Sequence, residues 1–202
     1  MKVGTLILVV SMGLLGAVQA QSARDFLDAA DYRHTITMNG YKQSFFTRSS
    51  GVKVFVDRDK TYYWYANNTI SSTQGGFDGK LLHGQYNEFY ADKNLKVQGN
   101  FENGLKVAIW KNWSDGGLLK EIIEFKNGVM DGNFFRYNSH GLLEEEGRYK
   151  LGKLHGKVRR YRGKDSIEVL LFKRGELQLS PDSNASGVVK RFLKKIPFVK
   201  KK

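Results

Sequence analysis

The chain has 202 residues, 33 Lys and Arg against 20 Asp and Glu, a formal charge of +13 and no cysteine. Without cysteine there is no disulfide framework, thiolate nucleophile, cysteine metal site or lipidated cysteine anchor, so packing and backbone pairing alone must hold the fold. Seven positive charges lie in residues 187–202, GVVKRFLKKIPFVKKK, which hold no acid, so the body is only mildly basic.

Residues 1–20, MKVGTLILVVSMGLLGAVQA, place one Lys before an apolar stretch and end on small residues at the positions a signal peptidase reads. The stretch is shorter than the roughly 20 apolar residues that span a bilayer. Cleavage before Gln21 is expected, with export to the periplasm or cell envelope. Export disfavours nucleic acid as a specific partner, although a polycationic tail binds it non-specifically. Residues 21–50 are expected to pack on the fold, opening with a short helix over SARDFLDAADY.

Residues 51–179 form the expected repeat domain. Val52 to Val56 would pair with the aromatic strand of TYYWYANN at 61–68, whose Tyr62 and Trp64 point away from Tyr63 and Tyr65. From residue 80 the sequence repeats every 24 residues, the fourth block being one residue short. Phe89, Trp113, Tyr137 and Tyr161 share one column, Leu95, Leu119, Leu143 and Ile167 another, and Phe101, Phe125 and Tyr149 a third. Gly84, Gly132 and Gly156 share a column broken by Ala108. Stepping back 24 residues from Phe89 reaches Tyr65, an earlier and degenerate copy.

The second half of each unit alternates apolar and polar residues, as in Leu95, Val97, Gly99 and Phe101, which marks a strand with one apolar face. Asn103-Gly104 and Asn127-Gly128 then supply tight reversals. The first halves are aromatic strands, joined to the second by polar loops. One unit is therefore one β-hairpin. The expected fold is all-β, an elongated antiparallel meander of about five 24-residue hairpins, with a short N-terminal helix and a basic C-terminal helix or tail.

This motif, an aromatic strand, a Gly-Leu-Leu-like turn, then an aromatic followed by Asn-Gly and a second Gly four residues on, resembles the MORN-repeat variant of YwqK-type antitoxin proteins, many from Bacteroidetes. It covers roughly residues 61–175. The resemblance implies stacked hairpins that commonly serve as an interaction surface, and its family name implies toxin neutralisation, an activity assigned to no residue here.

Chemistry-bearing residues are sparse. His83 and His155 occupy equivalent repeat positions, but three units at about 4.8 Å per strand separate them by roughly 29 Å, so no metal site is expected. Glu121, Glu124, Glu144, Glu145, Glu146 and Glu168 gather near neighbouring second strands, where an ion-paired face explains them better than a glycosidase carboxylate pair. No serine-hydrolase elbow, phosphate loop or zinc-protease motif occurs. No cofactor and no enzymatic activity are expected.

The candidate binding residues are aromatics: Tyr65, Phe89, Trp110, Trp113, Tyr137 and Tyr161. Packed on one another and under residues 24–50 they would be core; exposed, they would grip a partner protein or stack on a glycan. Residues 180–202 form a linker and tail. There Val188, Val189, Phe192, Leu193 and Ile196 recur at helical spacing among cations. Lys190, Arg191, Phe192, Lys194 and Lys195 are the candidates for contact with an anionic membrane surface. The expected function is a non-enzymatic envelope scaffold or protein-binding module, with carbohydrate binding as the alternative and antitoxin-like neutralisation as a further one.

Overall fold

A computed structural model describes residues 32–49, 53–163 and 166–178. The signal segment, the expected helix (save Tyr32) and the 180–202 linker and tail lie outside the described residues. What is described is all-β. In chain order the strands are β1 Tyr32–Met38, β2 Tyr41–Thr47, β3 Thr61–Ala66, β4 Thr69–Gln74, β5 Lys80–Phe89, β6 Leu95–Glu102 and β7 Leu105–Trp113. They continue with β8 Leu119–Lys126, β9 Val129–Tyr137, β10 Leu143–Lys150, β11 Lys153–Leu154, β12 Gly156–Tyr161, β13 Ile167–Lys173 and β14 Glu176–Gln178.

One antiparallel meander runs β1-β2-β5-β6-β7-β8-β9-β10-β12-β13-β14, with β11 on β10 and the β3–β4 hairpin attached to β5. From β5 onward each repeat unit is one hairpin, as the period requires. Its closing turn is a two-residue reversal with both residues at positive φ: Asn103 at 50° and Gly104 at 78°, Asn127 at 49° and Gly128 at 83°. Asn and Gly enter this region at least cost. The glycine N–H then bonds across to the preceding unit, Gly104 to the Leu82 carbonyl at 2.7 Å and Gly128 to that of Lys106 at 2.9 Å. The turns thus tie neighbouring units as well as reversing the chain.

The loops at the opposite strand ends also repeat in detail. The N–H of Tyr90 reaches the Asn94 carbonyl, and Ser114 to Leu118, Asn138 to Leu142 and Arg162 to Ser166 do the same, at 2.8 to 2.9 Å. Beyond each loop Phe89 pairs with Leu95, Trp113 with Leu119, Tyr137 with Leu143 and Tyr161 with Ile167. In the first three hairpins the register then slips, leaving Lys96, Lys120 and Glu144 as the extra residue of a β-bulge. The fourth hairpin pairs Arg160 with Glu168 directly. The residue missing from the short fourth block is its bulge residue.

Three expectations change. Residues 32–47 do not pack on the sheet but extend it, β1 and β2 joining at Asn39-Gly40 and β2 pairing with β5. The partner of β3 is β4 across Asn67-Asn68, not Val52 to Val56; residues 53–57 hold no strand. There the Asp57 N–H donates to the Tyr62 hydroxyl at 2.9 Å, so the segment caps the far side of β3. Finally, the degenerate copy containing Tyr65 leaves the meander. With β2 already bonded to one flank of β5, β3 meets that strand only at Trp64–Leu81 and Tyr65–Lys80.

The β3–β4 hairpin instead folds across the inner face of the sheet. Tyr63 lies 5.1 Å from Phe101 and Tyr65 lies 5.2 Å from Phe45, between ring centroids, and the Tyr63 N–H bonds the Gly104 carbonyl at 2.8 Å. Under it lies a core of Ile36, Phe45, Leu82, Tyr86, Phe101 and Trp110, flanked by Ile70, Val97 and Phe125.

Candidate functional site

The aromatics divide by column. Tyr86, Trp110, Phe134 and Val158 recur at the 24-residue period and are all buried, with Phe134 and Val158 at 0% exposure. This core column stands three residues before Phe89, Trp113, Tyr137 and Tyr161. Trp110, expected as a binding residue, belongs to it: it is 4% exposed, edge-on to Phe101 at 4.9 Å, with its indole N–H donating to the Val107 carbonyl at 3.2 Å. Tyr65 is likewise engaged internally, between His34 at 4.6 Å and Phe45, its hydroxyl bonding Asn68. Phe89 is half-buried between Leu95 and Lys42.

Trp113 and Tyr137 are brought together with polar side chains in a groove at the loop end of the sheet. Its volume is about 430 Å³, and it is lined by Tyr90, Lys96, Val97, Asn112, Lys120, Glu121, Arg136 and Glu144 besides the two aromatics. A second depression of about 220 Å³ follows, sharing Arg136 and Glu144 and adding Glu145, Arg160, Tyr161 and Arg162. The bulges shape this border. Each pushes one extra residue outward beside an aromatic, and those residues are Lys96, Lys120 and Glu144.

A charge ladder forms the floor. Registered rungs run from Asn112 to Glu121, Arg136, Glu145, Arg160 and Glu168 on successive strands. Arg136 donates Nε to Glu121 at 2.9 Å and Nη1 to Glu145 at 2.6 Å; Arg160 Nε donates to the other Glu145 oxygen at 2.7 Å. The Asn112 amide reaches Glu121 at 3.3 Å, and Lys96 pairs with Glu88 at 2.9 Å beneath the Tyr41 ring, 3.6 Å from its centroid.

Burial works against the Glu145 carboxylate, yet hydrogen bonds from Arg160 and Arg136 hold its pKa below the ordinary value. Burial also opposes the Arg136 charge, but the hydrogen bonds it donates to Tyr149, Glu121 and Glu145 push its pKa up. A general acid for glycoside cleavage needs the reverse, a carboxyl kept protonated. The ladder suits recognition: fixed charges, an amide and two aromatic flanks, all preorganised.

A lysine sits deeper on the same face. Lys106 Nζ is 4.2 Å from the Trp110 ring centroid and lies near those of Tyr63 and Phe125, and burial lowers its pKa. Glu146 points to the other face, bonding Arg159 and the Tyr161 hydroxyl, and Glu124 caps the Asn133 N–H. His83 accepts the Asn103 N–H and His155 lies at the turn end, so the two stay apart. Among the described residues no group of three or more His, Cys, Asp or Glu could hold a metal ion.

Of the ladder, Glu121, Glu145 and Glu168 were expected on an ion-paired face, whereas their partners Asn112, Arg136 and Arg160 were not recognised from the sequence. Their signal was present: Asn112, Arg136 and Arg160 form one 24-residue column, and Glu121, Glu145 and Glu168 form its neighbour. The membrane candidates Lys190, Arg191, Phe192, Lys194 and Lys195 lie outside the described residues. The sequence matches no protein-family model and no curated protein.

Proposed function

We propose that this chain is an exported, non-enzymatic repeat protein that docks a partner protein at the loop-end groove and acts as an envelope scaffold. The observation that carries the reading is the placement of Trp113 and Tyr137 beside preorganised charges, on the part of the inner face that the β3–β4 hairpin leaves free. Envelope location rests on residues 1–20, and the basic tail would add contact with an anionic membrane surface. Photo-crosslinkers placed at Lys120 and at Ile109, which faces the opposite side and is 50% exposed, test the assignment in native cells. Discrete adducts should come from Lys120. Equal adducts from Ile109 would remove the groove as the docking surface.

Carbohydrate binding is the second reading, favoured by aromatic rings next to an amide, carboxylates and a guanidinium in one groove. Saturable polysaccharide binding that disappears in Trp113→Ala, with the melting curve unchanged, would replace the first reading by this one. The antitoxin reading has only the family resemblance behind it.

A further inference from the structure

The two-residue turns gather at the end of the sheet opposite the loops, and their chemistry changes along the row. Beside Asn103-Gly104 stand Glu102, Leu105 and Val107; beside Asn127-Gly128 stand Lys126, Val129 and Asp131. One unit later the same positions hold Lys150, Lys153 and His155, and the next turn adds Lys173 and Arg174. With Leu151 these residues line a cavity of about 530 Å³. The stem of Lys153 runs along the Gly175 turn, 3.6 to 3.8 Å from where a Cβ there would lie.

Four arginines elsewhere on the sheet, Arg136, Arg159, Arg160 and Arg162, hold carboxylates. Among the described residues Lys150, Lys153, His155, Lys173 and Arg174 make no ion pair. The acids at hand are Asp131, whose carboxylate accepts the Leu151 N–H at 3.4 Å, and Glu176, opposite Lys173 in register. Four like charges crowded around one cavity repel each other, and a multivalent anion relieves that repulsion.

Leu151 adds a second mark. It sits at φ 50° and is 73% exposed, in the turn position that Asn fills at 103 and 127. A leucine in the left-handed region is disfavoured, and here no burial compensates. Strain at an exposed position beside unpaired charges fits a contact made outside the fold.

We propose that this cavity is an anion site for a phosphate group, whose carbon skeleton rests against Leu151. Lys150, Lys153, Lys173 and Arg174 would surround the oxygens, with Arg174 offering a fork for two of them.

The test uses the full chain without residues 1–20, isotope-labelled, titrated with inorganic pyrophosphate and separately with phosphatidylglycerol-containing vesicles. Amides of residues 150–155 and 173–175 should shift. The variant Lys153→Val, His155→Asp, Arg174→Asn carries residues that earlier units hold at those positions, so it should melt like the parent and bind about tenfold or more weakly. Should it melt lower, Lys153→Val alone carries the comparison. Loss in the pyrophosphate arm alone identifies a soluble phosphate as the ligand, and loss in the vesicle arm identifies a lipid headgroup. Shifts confined to residues 187–202, or unchanged affinity of the variants in both arms, would overturn the proposal.

Discussion

The indole of Trp110 lies flat against Gly99, so close that a Cβ on Gly99 would fall 2.2 Å from the ring atom Cδ2. Phe134 and Val158 meet at Gly147 in the same manner, at 2.8 and 2.9 Å from its Cβ position. These strand glycines are vacant seats for the core column two units apart. Gly99→Ala and Gly147→Ala should each cost about 1–3 kcal/mol through overpacking, measured by urea unfolding. If both unfold like the parent, the rings shift aside freely and the packing described is not specific.

Ala108 has φ 56° in a column where Gly84, Gly132 and Gly156 stand at 83°, 139° and 81°. Left-handed geometry costs an alanine about 1–2 kcal/mol, and glycine's extra unfolded entropy returns roughly half of that. Ala108→Gly should therefore stabilise by about 0.5–1 kcal/mol, against the usual direction of such a change. Leu151→Asn should gain a similar amount. A lower denaturation midpoint for Ala108→Gly would contradict the strain.

The arginines beside Glu145 give the acid limb of stability a definite sign. Its folded-state pKa lies below the ordinary value of 4.5, so the unfolded chain takes up the proton first on acidification. Its stabilisation is complete above that ordinary value and is lost as pH falls through the lower folded value. Glu145→Gln should cost about 1–3 kcal/mol at neutral pH and flatten the acid limb. An unaltered pH profile would show that Arg136 and Arg160 do not depend on this carboxylate.

Bulge residues should be removable. The fourth hairpin already lacks one, so deleting Lys120 should leave a cooperative β fold, at a cost of about 1 kcal/mol or less. Deleting Ile122, two residues later, moves one side of β8 to the wrong face and should abolish the transition. Circular dichroism melts compare the two directly, and equal tolerance would refute the bulge assignment.

The hairpin unit was legible because strand alternation, Asn-Gly pairs and the aromatic columns all share one period. The direction of the aromatics was not. Trp110 and Trp113 differ by three positions, and whether both are buried depends on β-bulges, which period-two counting cannot locate. Asn39-Gly40 was a readable hairpin signal between Thr35 to Met38 and Tyr41 to Phe46, although the stretch just before it has a helix-like composition. The folding of β3–β4 across the face had no local signal, because it is settled by Tyr63 meeting Phe101 and Gly104, about forty residues away. The charge ladder was written in two columns, but its pairing emerges only when separate hairpins are laid side by side.

The β3–β4 hairpin fastens the core around β2, β5, β6 and β7, whereas from β8 onward each strand is held chiefly by its two neighbours. A chain gripped at its C-terminus and pulled should therefore unzip strand by strand from β14, in small even steps, and then stall at the fastened end until Tyr63 lets go of Gly104. Amide exchange without force should follow the same gradient, fast at Leu171 and slow at Leu82. The molecule has a quiet end and a yielding end, and a partner gripping Trp113 and Tyr137 would hold it near the border between them.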